Sequence, residues 1–194
     1  MLNNSLSRYN IILGSSSPRR KELLTELGLA FTIITTNKEE KFPSLLKEEE
    51  IAKFLAHQKA SFLSSQLKNK ELLITADTIV TLNNKLLNKP KDSVDAFNML
   101  SKLSNNTHKV ITGVCIKIIE KEITFSSTTK VTFKKLSDQE IQYYIENYHP
   151  LDKAGSYGIQ DWIGKIGIQK IEGSYTNVVG LPLVELYENL KQFK

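Results

Sequence analysis

Gly14 to Leu27, GSSSPRRKELLTEL, follows directly on the apolar run Ile11-Ile12-Leu13. The run reads as the end of a buried strand, short and rich in β-branched residues. Ser17 stands where an N-cap would, Pro18 suits the first helical turn, and Gly28 ends the pattern as a C′ residue would. Leu23, Leu24 and Leu27 repeat at helical spacing and face a core. Strand, small-residue loop and helix N-terminus together turn free backbone N–H groups and the positive dipole end toward the loop, which suits an anion. Arg19 and Arg20 add two cations whose forks match phosphate oxygens. The same stretch also reads as an ordinary strand–helix connection with two solvated arginines. It is neither the Walker loop nor the dinucleotide fingerprint, because the required glycines are absent.

The chain has 194 residues, 24% charged and 40% hydrophobic, which describes an ordinary globular protein whose residues 1–194 suffice for one large domain or two small lobes with a shared core. A formal charge of +5 favours a polyanionic ligand, yet no block of like charge suggests a nucleic-acid arm. One cysteine excludes an internal disulfide, and Cys115 in VITGVCIKII reads as an inert core residue. The opening MLNNSLSRYN is polar, and no apolar stretch approaches about 20 residues, so a cytoplasmic protein with no membrane partner is expected.

Strands are expected at Phe31–Thr35, Leu72–Ala76, Lys109–Ile119, Ile123–Phe133 and Lys165–Ile171, with a hairpin turn at Asn83-Asn84. Helices are expected at Glu48–Leu67, from Asp92 or Ser93 through Leu103, from the Ser137 capping box to about Asn147, and after Pro182. Mixed order of strand and helix points to an α/β architecture with antiparallel additions. The middle of the chain, roughly 30–75 and 105–145, is expected to form or cover a second lobe.

On the long helix, at about 100° per residue, Lys59 falls between Ala52, Leu55 and Leu63, inside the apolar arc. A lysine there either snorkels to an edge or meets a buried anion. Asp77 stands at the expected C-terminal end of its strand, where α/β sheets bind ligands, although a capping aspartate beside Thr78 would look the same. Glu40 lies in a polar loop and Lys89-Pro90 in a turn. His108 and His149 lack partners at metal spacing, and with three histidines in the chain no Ser-His-Asp or Cys-His arrangement can be built. Taken together, Glu40 and Asp77 could hold Mg²⁺ through hard oxygens, while Arg19, Arg20, Lys59 and Lys89 neutralise a phosphate chain. That is equipment for attack of water on a nucleotide phosphorus.

Six blocks in order, SSSPRRKELLTELGLAF, ADTIV, LLNKPKD, HKVITGV, PLDKAGSYGIQ and IEGSYTNVVGLPLVELYENL, closely resemble the Maf family of nucleoside triphosphate pyrophosphatases from about Ile11 to Phe193. The resemblance implies an inosine-triphosphatase-like α/β fold, with a mixed sheet flanked by helices and a cleft between two lobes. It implies hydrolysis between the α and β phosphates with Mg²⁺ or Mn²⁺, and hints at a homodimer. Asp77 matches the family's proton acceptor. Glu40, Lys59 and Lys89 match positions tied to catalysis or to metal and phosphate handling, and Ser15 lies in the phosphate-facing loop. Arg19, Thr78 and Gln160 match positions marking the branch that acts on dTTP and UTP rather than the one resembling 7-methyl-GTP pyrophosphatases. The family is also known as a septum-formation inhibitor, so a nucleotide-binding regulator of cell division is the alternative. The chain departs from the pattern at Gly14, where alanine is common and the change is expected to be harmless. It departs again at Asn105-Asn106, and at Asp161-Trp162, which adds charge and bulk after Gln160.

Overall fold

The computed structural model describes residues 6–39 and 41–193. The chain begins with β1 (Asn10–Leu13), α1 (Pro18–Glu26), β2 (Phe31–Ile33), α2 (Glu48–Ser64), β3 (Glu71–Leu82) and β4 (Lys85–Leu87). It continues with α3 (Ser93–Leu103), β5 (Thr107–Lys117), β6 (Glu122–Phe133) and α4 (Asp138–Tyr148). The last elements are α5 (Trp162–Gly167), β7 (Ile168–Glu172), α6 (Tyr175–Val179) and α7 (Leu183–Leu190). Among the described residues the strands form one seven-stranded mixed sheet in the order β2-β1-β3-β5-β6-β7, with β4 also on β3. β1 is parallel to β2 and β3, with Ile12 opposite Thr32 and Leu73, whereas β4 and β7 add antiparallel edges to β3 and β6. No helix among the described residues is long and apolar enough to cross a membrane.

The chain divides into two compact units, and the division runs through the long strands. One unit holds the chain up to Asp77, Thr112–Ser127 and the segment from Gly180 on; the other holds Thr78–Ile111 and Thr128–Val179. This corrects the expected lobe at 30–75 and 105–145. The chain changes unit inside β3, β5 and β6, where no break in composition marks the change.

In the first unit, Ser17 caps α1, its Oγ accepting from Arg20 N at 3.5 Å, and Gly28 takes φ 72 just past the helix end. Lys47 opens α2, its N–H donating to the Glu50 carboxylate at 2.9 Å, and Glu48, Glu49 and Glu50 fill the first turn, where negative charge is favoured. Ala52, Leu55, Ala56, Ala60 and Leu63 form the buried stripe of α2. Its small residues bring the helix close to the sheet: a Cβ on Gly113 of β5 would lie 2.1 Å from the Ala52 carbonyl oxygen. Thr75 on β3, fully buried, donates its hydroxyl to the Ala56 carbonyl at 2.7 Å. The glycine at position 14 suits this packing. A Cβ there would stand 2.6 Å from the Thr75 methyl and 2.9 Å from Leu63 Cδ1, because α2 and β3 close over that turn.

In the second unit, α3 is capped by Asp92, whose Oδ1 accepts from Asp95 N at 2.8 Å, and buries Ala96, Met99, Leu100 and Leu103. The Ser137–Glu140 capping box starts α4 as expected. Asn83 and Asn84 take φ 50 and 61, which makes the β3–β4 connection a tight hairpin. Asn177 on α6 is fully buried and donates to the Val110 carbonyl and to Thr129 Oγ1.

Several boundaries differ from the sequence reading. The expected strand at Lys165–Ile171 is helix α5 through Gly167, followed by β7 from Ile168 to Glu172. Gly164 lets that helix sit directly on the Ile159 carbonyl, 2.1 Å from where a Cβ would be. α6, Tyr175–Val179, was not foreseen, and β2 stops at Ile33. β3 runs on through Asp77 to Leu82, so Asp77 lies within a strand rather than at its end.

Candidate active site

Asp77 and Lys59 meet in the first unit. Lys59 Nζ donates to Asp77 Oδ1 at 2.6 Å and to the Ala76 carbonyl at 3.3 Å. Their side chains are only 15% and 18% exposed, so the pair is largely sheltered from water. Of the two readings open to a lysine in an apolar arc, meeting an anion is therefore the one realised. The strand holds the carboxylate and the helix holds the ammonium, so neither depends on a loop for its position.

The loop after β1 is held from within. Ser15 Oγ accepts from Ser17 N at 3.2 Å and from Arg20 Nη1 at 3.3 Å. Arg20 is 9% exposed, and its Nε donates to the Gly180 carbonyl at 2.8 Å. Arg20 thus fastens the Ser15 loop to the start of the C-terminal segment, while Arg19 beside it is half-buried. The backbone N–H groups at the start of α1 and two guanidinium groups are gathered in one short stretch, which suits phosphate oxygens.

Thr78, Lys89 and Gln160 belong to the second unit. Thr78 is half-buried on β3, Lys89 is exposed just after β4, and Gln160 is exposed in the loop before α5. The segment carrying Gln160 is tied to the segment carrying Lys89, because Gly155 N donates to the Asn88 carbonyl at 3.2 Å. Gly155 takes φ 70 and packs on Val80, a close approach that a side chain would block. Tyr157 is buried and shares a 2.7 Å hydrogen bond with His108 Nε2, and Phe133 packs against both rings. Asp161 and Trp162 turn out to be held within the unit: Asp161 accepts from the Tyr144 hydroxyl at 2.6 Å, and Trp162 meets Tyr143 edge-on at 4.8 Å. Sequence reasoning missed Tyr144. An open hollow of about 510 Å³ beside Trp162 is lined by Leu136, Ser137, Glu140 and Tyr143 among others, none of them a candidate site residue.

Glu40, paired with Asp77 in the sequence reading, lies outside the described residues. Asp77 offers hard carboxylate oxygens, one of them engaged by Lys59, and its donor type fits Mg²⁺ or Mn²⁺. A second group, His57, Cys115 and Glu122, brings ligand-type atoms within 4.8 Å of one another. It is closed by its own contacts: His57 Nδ1 lies 2.6 Å from Glu122 Oε1, and Lys117 donates to Oε2 at 2.6 Å. Burial pushes the Glu122 carboxyl up, but Lys117 and His57 outweigh it and hold it below the usual range. Burial pushes the Cys115 thiol up to about 11, as expected of an inert core cysteine.

Residues 10–193 match the family model described as Maf-like protein. A dTTP/UTP pyrophosphatase of Flavobacterium johnsoniae is 52% identical over 98% of this chain and 98% of its own. One from Phocaeicola vulgatus is 52% identical over 99% and 100%, and one from Flavobacterium psychrophilum is 54% identical over 96% of each chain. A solved nucleoside-triphosphatase / dITP/XTP pyrophosphatase from Mycobacterium abscessus is similar over 64% of this chain and 72% of its own, at 12% identity and a TM-score of 0.39, too slight a likeness to carry an argument. On the family match and these near-full-length relatives, the chain belongs to the Maf family.

Proposed function

We propose that the protein is a nucleoside triphosphate pyrophosphatase that hydrolyses dTTP and UTP to the monophosphate and pyrophosphate. The observation that carries this reading is the sheltered Lys59–Asp77 pair, a base and a cation held on rigid elements. Attack of water on the α phosphorus needs an acceptor for the water's proton, and Asp77 supplies it. Lys59 holds that carboxylate in place and brings positive charge to where negative charge gathers on the phosphate oxygens. Arg19, the Ser15 loop and Lys89 bind the triphosphate, and Arg20 keeps that loop in shape. Gln160, with Arg19 and Thr78, reads the base.

A divalent cation bound through Asp77 and Glu40 would neutralise charge on the triphosphate and polarise the phosphorus under attack. The deciding experiment is a UTP digest followed by chromatography, with and without chelator. UMP and pyrophosphate should form with Mg²⁺ or Mn²⁺ and cease in EDTA. Accumulation of UDP would refute the bond assignment, and full turnover in chelator would refute the metal requirement.

A further inference from the structure

Gly158, Ile159, Gln160 and Asp161 form a turn whose two ends are tied to each other and to one phenol. Asp161 N donates to the Gly158 carbonyl at 3.1 Å. Gly158 N donates to the Tyr144 hydroxyl oxygen at 3.0 Å, and that hydroxyl donates to Asp161 Oδ2 at 2.6 Å. The Asp161 carboxylate lies so close over Gly158 that a Cβ there would stand 2.5 Å from Oδ2. Lys153 Nζ, on a side chain only 14% exposed, is 4.0 Å from the same oxygen. Tyr144 itself is fully buried, stacked on Tyr148 at 5.2 Å, and cannot follow a drifting loop. Ile159 is 6% exposed and supplies an apolar anchor, so Gln160 is the one residue of the turn left exposed.

We propose that Tyr144 and Asp161 are positioning residues for base selectivity: they clamp this turn so that Gln160 presents its amide in one orientation. The proposal rests on the reading of Gln160 as a base-reading residue. A carboxamide offers a donor on one side and an acceptor on the other. Held still, it matches the 4-oxo, N3–H edge of thymine and uracil and mismatches the 4-amino edge of cytosine. Allowed to rotate with a loose backbone, it would serve either edge, and the discrimination would fade. Burial, reinforced by the Asp161 carboxylate, pushes the Tyr144 hydroxyl's pKa up, so it stays a donor throughout the working pH range.

The test compares kcat and KM for UTP and CTP in wild type and in Tyr144→Phe, Asp161→Ala, Asp161→Asn and Gln160→Ala, with thermal melts to check folding. Tyr144→Phe and Asp161→Ala should each lower the UTP-to-CTP ratio of kcat/KM about tenfold. The loss should come through a higher KM for UTP, with kcat little changed. Asp161→Asn, which keeps an oxygen to accept from Tyr144, should retain most of the selectivity, a rescue that a merely structural role would not produce. If Tyr144→Phe does not fold, the Asp161 pair carries the same test. A ratio unmoved by Tyr144→Phe and Asp161→Ala while Gln160→Ala collapses it overturns the clamp and leaves the base reading standing. A ratio unmoved by Gln160→Ala overturns the base reading, and with it the route by which the clamp acts.

Discussion

The proposed chemistry leans most on Lys59, because its place on α2 brings its ammonium to a carboxylate. An ammonium in a sheltered setting is costly unless it is paired, and Asp77 Oδ1 at 2.6 Å is a partner for it. Lys59→Met keeps the stem that packs beside Leu55 and Leu63 and removes the charge. It should lower kcat/KM by about a hundredfold or more while the melting temperature moves by only a few degrees. Steady-state kinetics alongside a thermal melt checks this, and near-native turnover would show that the lysine only braces Asp77. Part of this residue-level picture was legible beforehand. Helical periodicity placed Lys59 in the apolar arc, but periodicity says nothing of what lies across from the arc. The partner came only from β3 running through position 77 instead of ending there. Arg20 was less legible. Next to Arg19 it looked like a second phosphate ligand, and nothing local indicates that its Nε donates to Gly180, 160 positions away.

The scale of elements shows where precision comes from. α2 lies against β5 at a distance only Gly113 allows, and Lys59 sits two turns along the helix from the point of contact, Ala52. In Gly113→Ala the new methyl would meet helix backbone, which cannot swing aside as a side-chain tip can. The expected cost is about 1–3 kcal/mol of stability, read as a lower urea midpoint, together with a fall in kcat/KM as α2 shifts and carries Lys59 with it. Unchanged activity at lower stability would show that the Lys59–Asp77 pair survives movement of its helix. Elements bounded by capping chemistry were legible. Ser17-Pro18, Ser137-Glu140 and Asn83-Asn84 each announce a local geometry that depends on a few neighbouring residues. α5 was not, because WIGKIG carries two glycines and a β-like apolar pattern. It is helical because Gly164 allows contact with the Ile159 carbonyl. That contact is visible only after the Gln160 turn is folded.

At the scale of the whole molecule, the ordered motif blocks identified the family, yet the partition into units escaped the sequence because it falls inside β3, β5 and β6. Strand residues on either side of those crossings share one composition, so no linker betrays them. Stability is the whole-molecule property that a single buried group exposes most clearly. His108 is 1% exposed, its Nε2 is engaged by Tyr157 and its Nδ1 has no hydrogen-bond partner among the described residues. Burial lowers its pKa from the ordinary 6.5 to about 4. The unfolded chain therefore takes up a proton near pH 6.5 that the folded chain refuses until about pH 4. Stability is complete above the unfolded value and falls as pH drops toward the folded one, by about 3 kcal/mol at most. Glu122, Glu140 and Glu172, held below their ordinary 4.5, add their own losses only at still lower pH. The interval between 6.5 and 4.5 thus isolates the histidine. Urea midpoints should fall across that interval in wild type. In His108→Gln, which removes the titration and leaves an amide beside Tyr157, they should start lower and stay nearly level. Parallel slopes in the two proteins would mean that His108 is reached by water and protonated in place. The buried ring stack with Phe133 and Tyr157 would then not be the closed core on which the Gln160 segment rests.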